Sequence, residues 1–340
     1  MRKKIVTLLF AATLLTAVTA VAASAAGDTV YKWRLGSMYN DPKAVPEFNG
    51  FGHGIQKFID LVGERTNGRV KITSYWSGVL GGDVELFNLI RDGELDVFYG
   101  SPMSNVDVRF AVTRIPYLFK DFDAVKRIYA SPNAPMFKLL HETVGKYNCE
   151  LISVGTGTFR GFINNKHEVV KVEDLSDLTC RVYEDYIVKA FWSKITNATI
   201  MPYSEVYTAL QTKAIDGVEF AETIVVQDKC YEVTNHFTDL NWQWVGHMMM
   251  VSEKKWKQLP ADLQEIVRQA AWDAMAYEFE IEEGDRAKAH DAMRKHGMKV
   301  RLLTDEERQA WIDYARKQDD FISKEIGAEL FNKVIGWAKE

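Results

Sequence analysis

Pro202-Tyr-Ser-Glu-Val-Tyr-Thr-Ala-Leu-Gln-Thr-Lys-Ala-Ile-Asp-Gly-Val-Glu-Phe220 reads as a short helix that stops at a lysine and re-emerges as a strand. Val206, Ala209 and Leu210 recur at helical spacing, and Asp216-Gly217 turns the chain into Val218-Glu219-Phe220. The same design runs through Glu85-Leu-Phe-Asn-Leu-Ile-Arg-Asp-Gly-Glu-Leu-Asp96-Val-Phe-Tyr-Gly100. Setting Glu85 on Glu205, an offset of 120 residues, also sets Phe87 on Tyr207, Ile90 on Leu210, Leu95 on Ile215 and Asp96 on Asp216. A repeated helix-to-strand unit implies two related α/β lobes, and two lobes with a cleft between them form a ligand trap.

Working outward, Arg2, Lys3 and Lys4 precede an apolar run from Ile5 to about Ala22 that ends in small residues. This is the pattern of an N-terminal export signal cleaved after Ala25, so a soluble periplasmic protein is expected. Removing those three basic residues from the 42 leaves 39 against 47 acidic ones. That balance argues against nucleic acid, which needs a basic face. Any anion-binding arginine must therefore act locally, inside a cleft. Cys149, Cys180 and Cys230 form no CxxC pair, so neither a redox motif nor a zinc ribbon is supported. Cys149 and Cys180 sit in strand-like runs and could pair, but buried free thiols fit equally well.

The pattern predicts strands at Lys32–Gly36, Val70–Trp76, Leu95–Tyr99, Glu150–Gly155, Phe159–Ile163, Leu178–Val182 and His247–Val251. Helices are predicted over Gly54–Thr66, Val84–Arg91, Tyr186–Ile195 and from Ala261 to about His296. The last would be about 50 Å long and would run along both lobes. The fold class expected is α/β, a two-lobed periplasmic binding protein fold with mixed, mostly parallel sheets flanked by helices. The expected division is 1–25 signal, 26–157 with 246–285 as one lobe, and 158–245 with 286–340 as the other.

Together these residues resemble the periplasmic solute-binding subunit of a TRAP transporter, the DctP family. The resemblance is carried by Glu64-Arg-Thr-Asn-Gly-Arg-Val70, Gly78-Val-Leu-Gly-Gly-Asp83, Gly93-Glu-Leu-Asp96, Phe159-Arg-Gly161, Asp174-Leu-Ser-Asp-Leu-Thr-Cys-Arg181-Val182 and the opening run. It implies a monomeric receptor that closes over a small organic anion and hands it to membrane permease subunits, with no cofactor. It further implies that Arg181 grips the ligand's acidic group through the guanidinium fork, which stays charged when water leaves. Arg160 matches a second ligand-contacting position. In branches that hold an oxo acid through a metal that position resembles a Gln, so Arg160 points away from a metal site. Phe220 stands where many members carry Asn, which suggests a more apolar wall.

By the internal repeat Phe220 corresponds to Gly100, next to Ser101, and both segments are strand ends where a cleft would open. Ser101, Trp76 and Ser37 complete the expected set. Two matched arginines suit one acidic group, as in a hydroxy or oxo monocarboxylate or a sulfonate such as isethionate. An aromatic acid stacked on Phe220 and a C4-dicarboxylate are the alternatives. The rival of another class is a periplasmic hydrolase using Glu219 and Asp216 as paired acids. Gly155-Thr-Gly-Thr-Phe-Arg-Gly161 has GxGxxxG spacing before a strand, so no helix N-terminus follows to hold a pyrophosphate. With no HExxH, GxSxG or Cys/His arrangement, the chain is read as a receptor, not an enzyme.

Overall fold

The computed structural model describes residues 29–101, 104–183 and 185–339; the expected export signal lies outside them. The strands are β1 Tyr31–Ser37, β2 Val70–Tyr75, β3 Val97–Gly100, β4 Cys149–Phe159, β5 Phe162–Asn164, β6 Thr179–Val182, β7 Asn197–Ile200, β8 Gly217–Val218, β9 His236–Asp239, β10 Trp244–Ser252 and β11 Lys299–Leu302. They form two sheets, β2-β1-β3-β10-β4 and β11-β9-β5-β8-β6-β7. β1 runs parallel to β2 and β3, whereas β10 is antiparallel to β3 and β4. The second sheet repeats the mixture, with β6 parallel to β7 and β8 and with β5 antiparallel to β8 and β9.

The two repeat units match down to their hydrogen bonds. Gly93 and Lys213 occupy equivalent positions and both take positive φ, 75° and 59°. Glu94 and Leu95 donate their amides to Leu89 O, as Ala214 and Ile215 donate theirs to Ala209 O. The acid that follows then ties the unit to its neighbouring strand. The Asp96 carboxylate accepts the Arg34 amide at 2.7 Å, and Asp216 accepts the Thr179 amide at 2.8 Å.

Four segments join the lobes, the last of them between Ala315 and Ile322. β4 was expected to end near Gly155, with a separate strand over Phe159–Ile163; instead it continues to Phe159 and the chain steps to the second sheet through Arg160-Gly161. The step is tight, because a Cβ on Gly161 would lie 2.8 Å from Thr238 O. The return crossing, Leu240–Gln243, pairs with it: Arg160 N donates to Gln243 O and Trp242 N to Arg160 O. The helix Ala261–Lys295 is the third link. Leu263, Val267 and Ala271 on it pack with Trp33 and Phe58 of the first lobe, whereas Met293 packs with Val206 and Phe237 of the second.

The final helices differ from the expected division, which put 286–340 on the second lobe. Ile322 and Ile326 of Asp319–Ile326, with Phe331 and Val334 of Ala328–Lys339, share a core with Phe110, Phe122 and Val125 of the first. Their apolar residues leave no continuous span: among the described residues no helix is long and apolar enough to cross a membrane. The three cysteines are buried free thiols, with Cys149 in the first sheet and Cys180 in the second.

Candidate functional site

Arg181 sits on β6, between β7 and β8, with only 4% of its surface exposed. Its Nε donates to Met201 O at 3.0 Å. The two terminal nitrogens make no hydrogen bond to any described residue, so the gripping end of the fork is left for something else. Burial lowers the guanidinium to about 10, Glu219 opposes the shift and Arg160 adds to it; the group stays charged at neutral pH.

Arg160, at the crossing between β4 and β5, comes to the same place from the hinge. Its Nη1 donates to Glu219 O at 3.3 Å, and its Nε stands 3.6 Å from Glu219 Oε2. Glu219 is 1% exposed; burial raises its pKa, while Arg160, Arg181 and Arg114 pull it down. Arg160 and Arg114 each lie against the Tyr183 ring, 5.7 and 5.4 Å from its centre. The Tyr183 hydroxyl donates to Gln243 Oε1 at 2.7 Å, and Gln243 Nε2 donates to Arg114 O at 2.7 Å. Three cations thus converge on Glu219.

The first-lobe wall carries Tyr39, Asp83, Arg114 and His247. His247 lies on β10 with its Nδ1 2.6 Å from Thr156 O and its Nε2 on the Tyr39 hydroxyl. Burial pushes this imidazole down to about 3, so it is neutral. The carbonyl takes the Nδ1 proton, which leaves Nε2 to accept from Tyr39. Tyr39 is in electrostatic reach of Asp83 from its own lobe and of Arg160 and Tyr203 from the other. These groups of the two lobes thus lie near one another.

The remaining expected residues take supporting positions. Phe220 is 1% exposed, packs on Tyr203 at 5.8 Å and lies 6.0 Å beneath the Arg181 guanidinium. It backs the arginine and sits in a cluster with Val206 and Leu210. Ser101 Oγ accepts from Arg114 Nη2. Ser37 is buried, and its Oγ accepts the Tyr39 amide at 3.2 Å. Trp76 packs against the Trp33 and Phe51 cluster. Arg114 escaped sequence reasoning, although a lone cation in Phe110-Ala-Val-Thr-Arg114-Ile115 was a usable signal: a charge is buried only with partners.

A groove of about 220 Å³ on the outer face, lined by Phe137, His141, Arg268 and Trp272, lies elsewhere. Its His141 and Arg268 side chains both contact Glu150. Among the described residues no group of three or more His, Cys, Asp or Glu side chains converges as a metal site.

The family of bacterial extracellular solute-binding proteins, family 7 (DctP), matches residues 44–325. The C4-dicarboxylate-binding periplasmic protein DctP of Rhodobacter capsulatus is 27% identical over 297 residues, 83% of this chain and 85% of that one. A TRAP periplasmic solute-binding protein of Ralstonia eutropha H16, solved with bound (S)-2-acetolactate, is 26% identical with a TM-score of 0.83 over 91% of this chain and 98% of its own. One from Haemophilus influenzae with bound L-gulonate is 25% identical, with a TM-score of 0.82 over 91% and 99%. With the family matched across 44–325, the two lobes and the linking helix in place, this chain belongs to the DctP family of TRAP periplasmic solute-binding proteins.

Proposed function

We propose that this protein captures a small organic anion with a single acidic group, closes over it and presents it to the membrane permease of its transporter. The observation that carries the reading is Arg181: a buried guanidinium held only at Nε, its fork open to a carboxylate or sulfonate. Arg114, Arg160 and Arg181 gather here with Asp83, Asp185 and Glu219 as their acidic neighbours. A hydroxy or oxo monocarboxylate, or a sulfonate such as isethionate, sets its one acidic group on the Arg181 fork, and the acetolactate- and gulonate-bound relatives have ligands of the first kind. A dicarboxylate, the ligand in the Rhodobacter relative's name, is the alternative. An aromatic acid has no face of Phe220 to stack on, because that ring is buried behind Arg181. The hydrolase reading lacks its acid pair, since Asp216 is engaged with Thr179 N and Lys166 rather than with Glu219.

The test is a thermal-shift screen of the mature protein against carboxylates and sulfonates. A ligand at 100 times its Kd adds about 2.7 kcal/mol of stability. A screen in which no organic acid shifts the transition, or in which a bound acid is turned over, defeats the reading.

A further inference from the structure

We propose that Asp83, on the first-lobe wall, accepts a hydrogen bond from a hydroxyl of the bound acid and so makes the protein selective for hydroxylated acids over their deoxy counterparts. The inference rests on the receptor reading above and assigns a specificity role within that site.

Asp83 opens the helix Asp83–Arg91, directly after Gly81-Gly82. Its carboxyl lies across the end of β3: a Cβ on Gly100 would stand 2.4 Å from Asp83 Oδ1. The Ser101 backbone amide donates to the carboxyl. Oδ1 is out of solvent contact and has no hydrogen-bond partner among the described residues. An unsatisfied buried acceptor is destabilising, more so when charged, and a donor arriving with the ligand would relieve that cost. The Ser101 hydroxyl accepts from Arg114 and makes no hydrogen bond to Oδ1. The Tyr39 hydroxyl is committed to His247. Burial pushes Asp83 up to about 7 against the pull of Arg114, so near neutral pH the carboxyl is shared between acid and carboxylate, and the ionised form is the acceptor. With Arg114 beside it and Arg160 sensed by the same Tyr39, a second cation is repelled. The donor is therefore a neutral hydroxyl rather than an ammonium group.

The experiment compares matched pairs by calorimetry on the mature protein: glycolate with acetate, lactate with propionate, isethionate with ethanesulfonate. In at least one pair the hydroxylated member should bind about 100-fold tighter or more, because a site built to bond a hydroxyl rejects the analogue lacking it. Asp83→Asn should reduce that preference about tenfold or more, with deoxy-acid affinity little changed. Equal affinities within every pair that binds, or a preference undiminished in both Asp83→Asn and Asp83→Ala, overturn the inference alone. If no acid of either kind binds, the receptor reading falls and takes this inference with it. The wild-type comparison decides the matter even if a variant fails to fold.

Discussion

Arg114 Nε lies 3.6 Å from Asp185 Oδ2, with both side chains fully buried, and this pair ties the two lobes together over the site. Arg114 ends the turn Val108–Arg114, whose Phe110 and Val112 belong to the first-lobe core. Asp185 caps the helix Tyr186–Trp192 of the second lobe by accepting the Val188 amide at 3.1 Å, and it also accepts from Ser104 Oγ at 2.8 Å. A buried pair of this kind contributes little net stability as a pair, but removing one partner strands the other. Arg114 also lies against Tyr183, beside Arg160.

Asp185→Ala removes the buried carboxylate facing Arg114 and a helix cap. The expected loss is about 3–5 kcal/mol, toward the low end because Ser101 still accepts from Arg114. Urea denaturation checks it, and a loss below about 1 kcal/mol would show that the pair does not hold the closed form.

Arg181→Lys keeps the charge and discards the fork. An ammonium offers one point of contact where the guanidinium offers two parallel donors, so it does not replace Arg at a bidentate site. Affinity for the acid found by screening should fall about tenfold or more, a loss of about 1.4 kcal/mol or more. The apo melting temperature should hold, because Arg181 anchors only to Met201 O. Undiminished binding by titration would place the acid elsewhere.

The repeat makes a prediction at Lys213. Gly93 sits at the equivalent position with φ 75°, where glycine is free of strain, but Lys213 holds φ 59° with a side chain. A left-handed non-glycine residue costs about 1–2 kcal/mol, partly offset by the extra unfolded-state freedom that glycine brings. Lys213→Gly should therefore stabilise the protein by about 0.5–1 kcal/mol, read from the denaturation midpoint. An unchanged or lower midpoint would mean the lysine side chain contributes contacts that its exposed position does not suggest.

That repeat was legible because its signals are local. Helical spacing, a turn residue and the acid that clamps the next strand all lie within one stretch, at Glu85–Gly100 and again at Glu205–Phe220. Arg181 and Arg160 were legible only through a resemblance of motifs, since a strand arginine by itself does not say whether it is buried. Asp83, Arg114 and His247 were not read as site residues because their meaning is made at long range. His247 meets Tyr39 across 208 residues of sequence, and Arg114 meets Asp185 from an irregular turn that carries no periodicity. The end of β4 was misplaced for a related reason: Gly155 and Gly157 look like breakers, but each has a neighbour so close that only glycine fits within a continuing strand. The last helices carry an ordinary amphipathic pattern, which fixes that they pack but not on which lobe.

The helix that spans both lobes carries a buried acid, Glu282. Glu282 is 2% exposed, accepts from Thr223 Oγ1 at 3.2 Å and takes the backbone amide of Gly50 from the helix Gly50–Arg65. It faces Glu278, Glu222 and Asp285, while the neighbouring Arg286 is engaged with Glu222 and Asp239. Burial pushes Glu282 up to about 8 from an ordinary 4.5, so the native state holds a proton that the unfolded chain releases. The stability this contributes is complete below about 4.5 and is lost as pH rises through about 8. Asp228, raised to about 6 by burial, and Asp83 act in the same direction at lower pH. Denaturation midpoints of the apo protein should therefore fall between pH 5 and pH 8.5, and Glu282→Gln should make that slope shallower from about pH 5 to about pH 8. Parallel slopes for the two proteins would mean that Glu282 is ionised in the native hinge, with its charge carried by Thr223 and Gly50.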